Sequence, residues 1–237
     1  MRLSAPIFQL KRRAKLMARA GDLPLHEALD KIAREEGFAR WSLLSSRSAE
    51  DSSPEAILNR LENGDLVLMA GRPGHGKTVL GLRLLLDAVR LGRGAVLFTL
   101  EFTEAEARHH LRQLDDAALG WADKVDVVTS EAIGADLVMR HLADAAPGTV
   151  AIVDYLQILD QQRSKPALAD QIQALSAFAR ETGVILGFLS QIDRAFDPDA
   201  KRLPDIGDIR LPNRVDLGLF TKAVFLHGGE AGFQRVV

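Results

Sequence analysis

Eight consecutive residues, Gly71-Arg72-Pro73-Gly74-His75-Gly76-Lys77-Thr78, match the spacing G-x-x-x-x-G-K-[ST]. Glycines at these positions let backbone N–H groups close around an anion. The lysine can then reach the β- and γ-phosphates of a nucleotide, and the threonine hydroxyl can ligate Mg²⁺. Three other polar residues stand directly after apolar runs. Asp154 follows Val150-Ala151-Ile152-Val153, where a carboxylate can support Mg²⁺ beside Thr78. Glu101 follows Ala95 to Leu100, where a carboxylate can orient or deprotonate an attacking water. Glu104 and Glu106 compete for that role, but only Glu101 stands at the end of the run. Gln191 follows Leu186-Gly187-Phe188-Leu189-Ser190, and its neutral amide can hydrogen-bond a γ-phosphate or the attacking water.

These residues need a scaffold that brings the ends of several strands together. Leu66 to Ala70 is a short apolar run suited to a buried strand, and Val79 to Val89 is a largely apolar helix. Strand, glycine loop and helix in that order are the context that a phosphate loop requires. Further along, strands are expected at Ala95–Leu100, Val125–Val128, Thr149–Val153 and Val184–Leu189, with Lys222–His227 as the last. Helices are expected at 55–62, 103–119, 135–145 and 168–181, the second opened by a Thr103/Glu106 capping box. Apolar strands alternating with helices predict an α/β fold with a mainly parallel sheet covered on both faces. In such sheets the ligand lies beyond the carboxyl ends of the strands, where the four polar groups fall.

The 237 residues suffice for one α/β domain and a small appendage. The net charge of −2 gives no global case for polyanion binding, so any such surface must be local. With no cysteine, disulfides and thiolate metal sites are excluded. No apolar run is long enough to span a bilayer, no secretory leader is apparent, and a cytoplasmic location is expected. His109 and His110 lie among charges without a partner at ligand spacing, and His75 is expected to face solvent.

Residues 1–48 predict a small helical appendage. Its first twenty residues hold six basic side chains and no acid, forming a basic amphipathic helix. That helix is either a solvated face or an element that contacts DNA or another subunit. Residues 49–54 read as a linker, and residues 55–237 as the nucleotide-binding domain.

The loop sequence, together with Thr99-Leu100-Glu101-Phe102, Val153-Asp154-Tyr155-Leu156-Gln157, Leu189-Ser190-Gln191-Ile192-Asp193-Arg194 and Asp208-Ile209-Arg210, resembles the RecA-like ATPase domain of DnaB-type replicative helicases. The resemblance covers about residues 55–227. It implies ATP with Mg²⁺ as substrate, a homo-oligomeric ring, usually of six subunits, and loops facing single-stranded DNA. Carried over, Gly71 to Thr78 bind the nucleotide, Thr78 and Asp154 serve the metal, Glu101 activates water, and Gln191 senses the γ-phosphate. Asp193 to Arg210 would face DNA, with Arg194, Lys201, Arg202 and Arg210 as the candidate phosphate contacts. Pro212-Asn213-Arg214-Val215-Asp216-Leu217 departs from the family pattern, and the family's Lys-x-Arg pair has no counterpart after His227, where Arg235 is the one arginine. A DNA helicase or translocase ATPase is the first functional reading. A regulatory ATPase of RecA/KaiC type, whose nucleotide state sets assembly, is the second.

Overall fold

The computed structural model describes residues 4, 7–21, 23–45, 53–115, 120–160, 165–198, 200–201, 203–210, 215–228 and 230–236. The chain divides into two compact units, Met1–Ser53 and Pro54–Val237.

In the first unit, α1 (Ile7–Ala20) and α2 (Leu25–Glu35) each carry one apolar stripe, and residues 41–45 form a short α3. Leu10 and Ala14 of α1 are buried with Ala28, Ile32 and Ala33 of α2 and with Leu44. Arg13 pairs with Glu35 at 2.9 Å, and the backbone N–H of Trp41 donates to Asp30 at 2.8 Å.

The second unit is built around β1 (Leu66–Gly71), whose six residues are all buried. Its side chains alternate between two separate apolar layers. Leu66, Leu68 and Ala70 enter one layer, while Val67 and Met69 enter the other. A strand covered on both faces has no use for a polar side chain, which is why the run is continuously apolar. Around β1 stand β2 (Ala95–Thr99), β3 (Asp126–Val128), β4 (Val150–Asp154), β5 (Ile185–Gln191), β6 (Lys222–His227) and β7 (Glu230–Arg235). Their order in the seven-stranded sheet is β3-β2-β4-β5-β1-β6-β7. Every pairing is parallel except that of β6 with β7.

β7 corrects the expectation that Lys222–His227 is the last strand. Glu230–Arg235 is half-exposed, holds a glycine and polar residues, and lies at the sheet edge, so it shows no apolar run.

Helices cover both faces. α4 (Pro54–Leu58), α5 (Lys77–Arg90) and α6 (Glu104–Leu114) supply Ile57, Leu84, Leu85, Ala107 and Leu111 to one layer. α7 (Ala135–His141) and α8 (Leu168–Thr182) supply Val138, Ile172, Leu175 and Ala179 to the other. Thr103 caps α6 in the expected reciprocal box with Glu106. The end of that expected helix, residues 116–119, lies outside the described residues, as does most of the expected linker 49–54. Pro54 is already the first residue of α4, a position where its missing N–H costs nothing. No helix among the described residues is long and apolar enough to cross a membrane.

A buried polar cluster fixes β1 against β6 at the end of the sheet opposite the phosphate loop. Asp65, just before β1, accepts from the Thr221 hydroxyl at 2.7 Å, from the Glu62 N–H at 2.6 Å and from the Lys222 ammonium. Both Asp65 and Lys222 are buried, so removing one leaves the other charge without a partner. Asp65→Ala is expected to lower unfolding free energy by about 3 kcal/mol or more. Glu62→Ala, which removes an exposed carboxylate 3.5 Å from Lys222, is expected to cost about 1 kcal/mol or less. Urea denaturation of the two variants measures the difference.

Candidate nucleotide-binding site

The phosphate loop runs from the end of β1 into the start of α5, and its shape depends on two glycines. A Cβ on Gly71 would lie 2.8 Å from the Leu226 carbonyl oxygen, so only glycine lets β1 close on β6 here. Gly76 has φ +85° and is the N-cap of α5, a left-handed geometry that other residues adopt at a cost. Beyond Gly76 the helix begins directly with Lys77 and Thr78. That places an ammonium, a hydroxyl and the unpaired N–H groups of a helix N-terminus at one point.

The Lys77 ammonium donates to the Arg72 carbonyl at 3.0 Å, folding back over its own loop. Burial lowers its pKa, while the charges of Asp154 and Glu101 act in the opposite direction. The Thr78 hydroxyl donates to Asp154 Oδ2 at 3.1 Å. Asp154 ends β4 at 4% exposure, and the peptide bond that follows it is cis. Its pKa is raised to about 6, first by burial and then by the Glu101 charge, against the Thr78 hydrogen bond and the Lys77 charge. Thr78 and Asp154 offer hard oxygen donors and few of them, a set that fits Mg²⁺ completed by phosphate and water oxygens. Among the described residues no group of three or more His, Asp or Glu is placed to hold a metal.

Glu101 lies two residues past the end of β2, with an exposed side chain, and its N–H donates to the buried Thr99 hydroxyl at 3.1 Å. Gln191 is the last residue of β5 and lies opposite Gly71 in the parallel register. The carboxyl ends of four adjacent strands, β2, β4, β5 and β1, therefore carry Glu101, Asp154, Gln191 and the phosphate loop.

The loop's other side chains make contacts that the sequence does not reveal. His75 does not face solvent as expected. Instead its ring stacks on His227 at 4.8 Å between centroids, and its Nδ1 accepts the Gly228 N–H at 3.1 Å. Its partners lie in the turn between β6 and β7, more than 150 residues away, and no local pattern announces them. The Arg72 guanidinium donates to the Phe196 carbonyl and, at 3.3 Å, to the Arg194 carbonyl. It also lies 5.5 Å from the centre of the Phe196 ring, which meets His227 edge-on at 5.3 Å. His227 has its pKa lowered by burial and by the neighbouring His75 and Arg72.

The segment from Asp193 to Arg210 is closed at its base. Ile192 and Ile209 form an antiparallel bridge, Asp193 N–H donates to the Asp208 carbonyl at 2.7 Å, and Arg210 N–H donates to the Gln191 carbonyl at 3.0 Å. Gln191 is thus bonded directly to the base of this loop. Arg194 and Arg210 are exposed and line a cavity of about 320 Å³ together with Asp193. Lys201 is engaged by Asp205 and, at 2.7 Å, by Asp208. Its i,i+4 spacing to Asp205 was the available sequence signal. Arg202 lies outside the described residues.

No family model matches the chain. The replicative DNA helicase DnaB of Synechocystis sp. (strain ATCC 27184 / PCC 6803 / Kazusa) is 23% identical over 187 residues, covering 66% of this chain and 21% of that protein. The chain thus matches about a fifth of that relative's length. A solved structure of an isolated ATPase domain aligns with a TM-score of 0.56 and 19% identity, over 78% of this chain and 81% of the other. The structure of a DnaB-like replicative helicase and its interactions with primase aligns with a TM-score of 0.59 and 18% identity, over 93% of this chain and 66% of the other. The second unit has the RecA-like fold of DnaB-type ATPase domains.

A buried carboxylate with a raised pKa makes the ligand-free protein sensitive to pH. The unfolded chain ionises Asp154 near the ordinary value of 3.8 and the folded chain near 6. Its contribution to stability is therefore complete below pH 4 and is lost as pH rises through about 6. Without nucleotide or Mg²⁺, Asp154→Asn is expected to be more stable than wild type at pH 8 by on the order of 2 to 3 kcal/mol. The difference should shrink to nothing near pH 4, as read by thermal unfolding across that range.

Proposed function

We propose that this chain is a DnaB-like, ATP-hydrolysing motor domain of the helicase or translocase type that acts on single-stranded DNA. The observation that carries the reading is the pairing of Thr78 with a buried Asp154 at 3.1 Å, beside Lys77 and within the electrostatic reach of Glu101.

In this reading the N–H groups of Gly71 to Gly76 and the start of α5 hold the phosphates of ATP. Lys77 leaves the Arg72 carbonyl and takes up the β- and γ-phosphate oxygens. Thr78 and Asp154 hold Mg²⁺, which when bound would bridge β- and γ-oxygens and offset the charge that develops on them. Glu101, exposed and beyond the strand end, accepts a proton from the water that attacks the γ-phosphate. Gln191 hydrogen-bonds the γ-phosphate. Its backbone carbonyl is bonded to Arg210, so loss of that phosphate is felt at the base of the 193–210 loop. Arg194 and Arg210 meet the phosphates of the strand, while Lys201, already held by two carboxylates, contributes less. As in the family the sequence resembles, the working unit is a ring, with six subunits the expected number.

ATP turnover is expected to rise with single-stranded DNA at low salt, and ATP to shift the mass in solution from one subunit to a ring. Glu101→Gln is expected to lower kcat by about two to four orders of magnitude with ATP binding kept. Lys77→Ala is expected to lose binding itself. Steady-state turnover and equilibrium nucleotide binding measured on the same preparations decide it. Turnover that ignores DNA would remove the motor reading, and turnover that survives Glu101→Gln would remove the assigned base.

A further inference from the structure

The two units differ in charge. Residues 1–53 hold ten Lys and Arg against seven Asp and Glu, and residues 54–237 hold twenty against twenty-five. The excess of the first unit is concentrated on one face of α1. At 3.6 residues per turn, Lys11, Arg12, Lys15 and Arg19 fall within an arc of about 100°. All four are exposed. They extend over about 12 Å of helix.

None of the four has a carboxylate partner among the described residues, because the acids of this unit are used elsewhere. Glu35 is paired with Arg13. Glu36 accepts from both the N–H and the hydroxyl of Ser4, Asp30 accepts from the Trp41 N–H, and Glu27 lies 3.9 Å from His26. Four like charges within one arc repel one another, and an isolated helix gains nothing from holding them together. The arrangement suits a partner that carries regularly spaced negative charge.

We propose that this face of α1 docks on the phosphate backbone of a nucleic acid, at a site separate from the nucleotide-binding unit. Charge complementarity chooses the partner, and the remaining surface argues against others. The apolar stripe of α1 is already used, with Leu10 and Ala14 buried and Met17 and Ala18 packed against the same cluster. Membrane-surface helices need a broad apolar face to enter the headgroup layer. Here only Leu16, 56% exposed, is left beside the cations. A protein interface would call for an apolar, aromatic-rich centre, which this face lacks. Phosphate neutralisation needs only the cations, and its driving force is the release of counterions.

The test uses the full chain without nucleotide, so its outcome does not depend on whether ATP is hydrolysed. Lys11→Ala, Arg12→Ala, Lys15→Ala and Arg19→Ala are made singly and together. Alanine keeps the helix, and the four positions lie outside the contact with α2. Binding of a fluorescent oligothymidylate and of a hairpin duplex is titrated over a series of salt concentrations, with phosphatidylserine vesicles as a third probe. The slope of log affinity against log salt for the single strand is expected to fall by about 0.7 for each single variant and by about 3 for the fourfold variant. A Lys11→Arg, Lys15→Arg variant should keep the wild-type slope. If the fourfold variant binds both nucleic acids with wild-type affinity and slope, the proposal is overturned. It is equally overturned if only vesicle binding is lost.

Discussion

A carboxylate held out of water at the end of β4 sets the terms for the rest of the site. Ionised Asp154 is unfavourable in the dry end of the sheet unless something positive or hydrogen-bonding faces it. The fold supplies a hydroxyl from Thr78 and a nearby ammonium from Lys77, the first two residues of α5, and those positions follow from the glycine geometry that starts this helix. A further carboxylate, Glu101, acts in the opposite sense. The pocket is therefore poised to take a cation, and the low dielectric that penalises the lone carboxylate also strengthens its interaction with that cation.

The sheet order explains how residues far apart in sequence reach this point. β1 sits between β5 and β6, and β4 lies on the other side of β5. Because the strands that carry the site are parallel, each of them leaves the sheet at the same edge. Apolar side chains on both faces hold the strands in register, so the loops at that edge are free to vary in composition without loosening the core. The Asp65, Thr221 and Lys222 cluster fixes the opposite edge. The sheet is thus tied by polar contacts at the end remote from the chemistry, and the reactive end is left open for ligand.

Much of this was legible from the residues alone, because burial on both faces demands apolar runs and the first polar residue after each run marks a strand end. Asp154, Gln191 and the phosphate loop were found by that rule. Glu101 was as well, although it stands beyond the strand in a bend rather than at its last residue. What escaped was either at an edge or long-range. β7 carries no run because an edge strand needs none. The roles of Arg72 and His75 as contacts to Phe196, His227 and Gly228 join segments more than 120 residues apart. Lys201 looked available as a phosphate contact until its two aspartates were seen to converge on it.

Arg72 belongs to the phosphate loop, yet its guanidinium holds the backbone of Arg194 and Phe196, and its own carbonyl receives the Lys77 ammonium. One residue is therefore a shared hinge pin between the nucleotide cradle and the arginine-bearing loop. Linkage through such a pin runs both ways. To whatever extent phosphate binding draws Lys77 off Arg72 and lets the arginine loop resettle, a ligand that holds that loop changes the affinity for phosphate by the same factor.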